Sequence, residues 1–144
     1  MKIQGGFRAV ILLCLFAAWP ALASELTVSG AWARATPPGI GMGAIYLRID
    51  NGSKKSDRLL KLKTSVASSA EVHRTEIVEG MARMREVAVL HVGVGERVEF
   101  APGGIHVMLM GLKKPLVDGQ KFELELLFEV AGPRKVRVVV RKPS

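Results

Sequence analysis

The residues of this chain best suited to binding chemistry are three histidines, His73, His91 and His106, and, Met1 aside, five methionines: Met42, Met81, Met84, Met108 and Met110. Seven of these eight fall between residues 73 and 110, so they form a group and are not scattered. The densest piece is His106-Val107-Met108-Leu109-Met110. In a strand, alternate side chains share a face. His106, Met108 and Met110 are then expected on one side, and Ile105, Val107 and Leu109 on the other. One strand presents an imidazole and one or two thioethers together, directly after the Pro102-Gly103-Gly104 turn.

Imidazole with thioether chooses a metal by softness. Thioether ligands select Cu(I), while imidazole suits several ions. Zinc wants cysteine, a third histidine or a carboxylate. Calcium wants clustered oxygen ligands, and none is apparent. A blue-copper electron-transfer site needs a cysteine thiolate. The single cysteine, Cys14, lies in an N-terminal segment with the layout of a secretory signal peptide. Lys2 and Arg8 supply its positive region, and Ala9 to Ala18 is an apolar run of 10 residues. Ala21-Leu22-Ala23 supplies a small-x-small cleavage pattern. The run is about half the ~20 residues a spanning helix needs, and Cys14 sits within it, not at a lipidation site. Cleavage after Ala23 leaves 24–144 with no thiol, no disulfide and no stable membrane insertion. What remains is a soft, thiol-free, ligand set without an anionic member, suited to handing an ion on. Methionine is also ordinary core filler in β-domains, and a lone histidine is ordinarily a surface or hydrogen-bonded residue. Residue type alone leaves both readings open.

The elements that must position these residues read as strands. Ile45, Leu47 and Ile49 alternate with Tyr46, Arg48 and Asp50, and Asn51-Gly52 ends that strand with turn chemistry. Further strands are expected at Leu59–Lys63, Glu71–Val78, Arg85–Val92, Arg97–Phe100 and Ile105–Met110. Another runs from Phe122 to Val130, with Phe122, Leu124, Leu126, Phe128 and Val130 on one face. Gly132-Pro133 breaks the chain before a last strand at Val136–Val140. The small polar segment Thr64–Ala70 reads as a loop or single turn. Seven to nine short strands at this spacing indicate an antiparallel sandwich or barrel. No stretch has a convincing helical period, and no repeat or second domain is visible.

Charge adds little. The whole chain is +8, from 21 basic and 13 acidic residues. The signal holds two of the basic ones, leaving 19 against 13, or +6. The basic residues are spread along the chain, which fits a solvated surface. An exported protein rarely meets nucleic acid, so no nucleic-acid partner is expected. Steering toward an acidic partner or an anionic membrane face is the sharper alternative.

The ligand spacing is more specific. His73, ten residues, Met84, twenty-one residues, His106, one residue and Met108 read as H-x10-M-x21-H-x-M. In this spacing the chain resembles the periplasmic PCuA(C)-type copper chaperones. The likeness extends to Ala31-Trp32-Ala33-Arg34-Ala35-Thr36-Pro37-Pro38, to Asn51 and to Asp57-Arg58-Leu59-Leu60. It continues through Gly80-Met81-Ala82-Arg83-Met84 and Pro102–Met110. It implies an all-β, cupredoxin-like antiparallel Greek-key β-sandwich, a single domain over 24–144. It implies Cu(I) held by side chains matching His73, Met84, His106 and Met108. It also implies delivery to the dinuclear copper centre on the copper-bearing subunit of cytochrome c oxidase, directly or with a Sco-type thioredoxin-like protein. Arg74 departs from the pattern, since many relatives have methionine there. Either the charge lowers affinity, or Arg74 points to the other face and does nothing. The sequence reaches Ser144 without the His/Met-rich tail that some relatives carry, so a second copper site is not expected.

The expected function is therefore a monomeric periplasmic copper carrier, not an enzyme. No Ser-His-Asp pattern supports a hydrolase, and the glycines at 39–43 and 93–95 do not sit between a strand and a helix as a phosphate loop would. Met81 and Met110 are expected in the core or behind the ligands, His91 exposed, and Trp32 in the core. Copper sequestration is one alternative. A metal-free envelope interaction module is another, and it expects His73 and His106 to lie far apart.

Overall fold

The computed structural model describes residues 25–143, so the signal-peptide reading of residues 1–23 lies outside the described residues. Ten strands make up the fold, and no helix occurs among the described residues. They are β1 (Leu26–Arg34), β2 (Met42–Asn51), β3 (Asp57–Thr64), β4 (Ala67–Val78), β5 (Met81–Glu86), β6 (Leu90–Val92), β7 (Arg97–Glu99), β8 (Ile105–Leu112), β9 (Lys121–Phe128) and β10 (Gly132–Arg141). Their hydrogen bonds run in one path, β5-β4-β8-β2-β1-β10-β9-β3-β6, with β7 beside β2. β3 and β4 lie far apart on that path yet pack against each other. The path therefore folds over on itself as a sandwich, with one core between its halves.

Alternation fills that core. Ile45, Leu47 and Ile49 of β2 are buried, as are Val107 and Leu109 of β8 and Phe122, Leu124, Leu126 and Phe128 of β9. Among the described residues, the strands run from Leu26 to Arg141 and enclose one shared hydrophobic core. Two buried polar residues tie the turns. Asn51 donates to the carbonyls of Lys55 and Val92 and accepts from Ser53. Asp57 accepts from the backbone N–H groups of Arg58, Val130 and Ala131.

Several sequence expectations need correction. β1 and β10 pair in parallel, Trp32 opposite Val139, the one departure from antiparallel order. Parallel neighbours need a long connection, and here nearly the whole described chain supplies it. Ala67–Ala70 is strand and not loop, because its backbone is claimed by β8. The expected strand Arg85–Val92 is two strands. β5 pairs with β4, whereas β6 pairs with β3 in the other half of the fold. Val130 lies beyond β9 and is exposed, and Gly132-Pro133 opens β10.

Trp32 is half-buried and faces outward. Its ring lies 4.6 Å from that of Tyr46, with Arg141 5.5 Å over its centre. The cause is a bulge in β1 between Ser29 and Trp32. Gly30, at φ +64°, takes the left-handed conformation that such an extra residue needs. The inserted residue moves Ala31 and Ala33 into the core and turns Trp32 out.

Candidate metal centre

The candidate ligands lie on adjacent strands in the order β5, β4, β8. In an antiparallel pair, directly opposed residues point to the same face. His73 of β4 is opposite His106 of β8, and Glu71 is opposite Met108. On the other side of β4, Met84 of β5 is opposite Thr75, and Glu86 is opposite His73. Val72 with Val107, and Ala70 with Leu109, fill the other face, toward the core. His73, Met84, His106 and Met108 thus share the outer face. His73 is central, directly across from His106 and diagonal to both methionines. Arg74 pairs with Ile105 on the opposite face, so its charge is directed away from the ligands.

Hydrogen bonds fix which nitrogen each imidazole offers. His106 Nδ1 lies 3.1 Å from the carbonyl of Gly104. A carbonyl only accepts, so Nδ1 carries the proton and Nε2 keeps its lone pair. His73 Nε2 lies 3.1 Å from a carboxylate oxygen of Glu71 and donates to it. In the neutral ring, the form that can bind a metal, this leaves the lone pair on His73 Nδ1, which is buried without a hydrogen-bond partner. A buried nitrogen lone pair with nothing to accept from is costly, and a metal ion would satisfy it. In metal sites the ring nitrogen not on the metal is held by a carboxylate or backbone carbonyl, and both histidines have such a partner.

The ligands differ in access. His106 is only 4% exposed, whereas Met84 is 58% exposed on an edge strand. Met108 is half-buried. The position of Met84 is set by the β4–β5 hairpin, whose turn is Glu79-Gly80. Both turn residues have positive φ, 52° and 75°, the geometry of a type I′ turn that suits strand twist. A cleft of about 530 Å³ opens between β3 and β4, but it touches Glu71 and Glu86 and none of the four candidate ligands. The four candidate ligands therefore lie outside this cleft, on the outer face of the sheet.

Among the described residues, no group of three or more His, Cys, Asp or Glu side chains is placed to hold a metal. That leaves the mixed imidazole–thioether set, and methionine favours Cu(I). The metal-free reading expected the two histidines far apart, and the register puts them face to face. His91, as expected, is exposed. It stands on β6 opposite Arg58. The other expectations change. Met81 is 54% exposed and lies on the hairpin face away from Met84, so it is neither core nor support. Met110 is half-buried on the outer face, directly opposite Met42. Glu71 is the residue that sequence reasoning missed. Its signal was available in Glu71-Val72-His73, since residues two apart share a strand face.

The family model described as LpqE-like matches residues 26–140. The "Putative lipoprotein Lxx21020" of Leifsonia xyli is 35% identical over 120 residues, which is 83% of this chain and 71% of that protein. The copper-bound PCuAC domain from PmoF2 has a similar fold, with a TM-score of 0.70 and 26% identity over 84% of this chain and 96% of that domain. The CuI form of DR1885 from Deinococcus radiodurans gives 0.69 and 33%, over 84% of this chain and 81% of that one. The cupredoxin-like β-sandwich expected from the sequence is the fold of these domains.

Proposed function

The chain belongs to the LpqE-like (PCuAC) family, and from that premise we propose that it is an exported Cu(I) carrier, not an enzyme, which passes its ion on by ligand exchange. The observation that carries this reading is the His73–His106 pair, with one lone pair on each ring unclaimed and the other ring nitrogen of each already held. Copper is the cargo. His73 Nδ1, His106 Nε2 and the sulfurs of Met84 and Met108 would hold it. No carboxylate or thiolate ligates it, so no strong anionic bond opposes release. Glu71 and Glu86 flank His73 and offset the ion's charge without binding it.

Release follows from the unequal exposure of the ligands. Met84, on the edge strand, is the first to be displaced by an accepting site. Met108 and the more buried imidazoles follow, so both proteins share the ion during transfer. The proposed compartment is the periplasm, the carrier a monomer, and the acceptor the copper-bearing subunit of cytochrome c oxidase, reached directly or with a Sco-type thioredoxin-like protein. The test is anaerobic incubation of the Cu(I)-loaded protein with the purified, copper-free soluble domain of that subunit. Copper found in the separated acceptor domain by elemental analysis, arriving faster than with free Cu(I) at the concentration the carrier leaves unbound, supports delivery. No transfer, with all copper retained by the carrier, favours sequestration.

A further inference from the structure

Met42 and Met110 face each other across β2 and β8, and Met108 stands next to both. Opposed residues have Cβ atoms about 5 Å apart, and residues two apart on a strand are about 7 Å apart. Met108 is opposite Ala44, so it lies diagonal to Met42 and on the same outer face. Three flexible thioether side chains are therefore neighbours on the outer face, on the same strand as His106 or the one beside it. Core filling does not explain them, since Met42 is 56% exposed and Met110 half-buried. In a chain with 21 basic residues, none stands directly opposite this row. Its neighbours across the strands are Ala44, Glu71 and Ser69.

We propose that Met42 and Met110 form a second, weaker Cu(I) site, where the ion lands before moving to the histidine pair. This rests on the copper reading given above. Met108 is the shared ligand. It binds the incoming ion with Met42 and Met110, keeps its bond while His106 and His73 take their places, and so lets the ion pivot along β8 without release. Three thioethers without imidazole hold Cu(I) less tightly than the set that includes both histidines, so the ion moves toward them. The expectation of no second copper site is revised here, because this one is built from sheet residues whose pairing the sequence pattern does not show.

The test is a Cu(I) titration of residues 24–144 carrying methionine labelled with ¹³C at the methyl group, read by NMR without oxygen. The first equivalent is expected to move the methyl signals of Met84 and Met108. The second is expected to move those of Met42 and Met110. Met42→Leu, an exposed change that leaves the core intact, should abolish the second step at Met110 and leave the first unchanged. Signals of Met42 and Met110 that stay fixed through two equivalents overturn the landing site alone. Signals of Met84 and Met108 that ignore the first equivalent overturn the primary copper reading instead.

Discussion

His73 and His106 stand directly opposite each other on β4 and β8, with ring centroids 6.2 Å apart, and they offer different nitrogens. The Glu71 carboxylate holds Nε2 of the first, and the Gly104 carbonyl holds Nδ1 of the second. This asymmetry predicts that Cu(I) shifts the ¹⁵N resonances of His73 Nδ1 and His106 Nε2 and leaves the other ring nitrogens protonated. Long-range ¹H–¹⁵N NMR of the imidazoles reads this directly. Coordination through the same nitrogen on both rings would contradict it.

Glu71 orients His73 without reaching the ion. Loss of such a supporting partner commonly weakens metal binding 10- to 100-fold. Glu71→Ala is expected to weaken Cu(I) binding about tenfold or more and to free the His73 ring to adopt both tautomers. Glu71→Gln, which keeps an acceptor oxygen, should recover most of the affinity. Competition with a chromogenic chelator gives the affinities, and the His73 ¹⁵N shifts separate orientation from a general loss of structure.

The β4–β5 turn carries a strained residue. Glu79 sits at φ +52°, where a non-glycine L-residue pays about 1–2 kcal/mol unless it is Asn or Asp. Asn-Gly is the preferred pair for this turn. Glu79→Asn should therefore stabilise the fold by about 1 kcal/mol, measured by urea unfolding. Because the substitution tightens the hairpin that carries Met84, copper affinity should not fall.

Gly111 shows the opposite constraint. Its φ is +65°, and a Cβ there would lie 2.6 Å from the Ser68 hydroxyl and 2.9 Å from the Ser68 Cβ. Gly111→Ala is expected to cost about 2 kcal/mol or more from the backbone and the clash together. The cost falls on the β4–β8 pairing, so copper binding should weaken along with stability. A Gly111→Ala protein as stable as the parent in urea would show that β4 can shift freely there.

Much of the site was legible because a strand has a strict period. His106-Val107-Met108 places its ligands on one face whatever the strand pairs with, and Ile45, Leu47 and Ile49 mark the core in the same way. Pairing between distant strands was not legible. Nothing in the chain's local pattern states that His73 meets His106 or that Met42 meets Met110; those are matters of register. Trp32 shows a second limit. One extra residue at Gly30 reverses the face of everything after it, and a bulge leaves little trace in composition. Arg85–Val92 shows a third, since the apolar run Val87-Ala88-Val89-Leu90 continues unbroken while the backbone leaves β4 for β3. Ser68 and Ser69 favour turns by type, yet the free edge of β8 draws them into a strand, because neighbouring strands override propensity.

The most direct test is an anaerobic Cu(I) titration of residues 24–144 against a competing chromogenic chelator, beside Met84→Leu and Met108→Leu. Met84 is exposed and Met108 half-buried on the outer face, so both variants should keep the parent's unfolding curve to within about 1 kcal/mol. The parent should withdraw one equivalent tightly, and each variant should bind at least tenfold more weakly. A parent that leaves all copper with the chelator, or variants that match it, would contradict the copper centre and return both methionines to the role of surface filler.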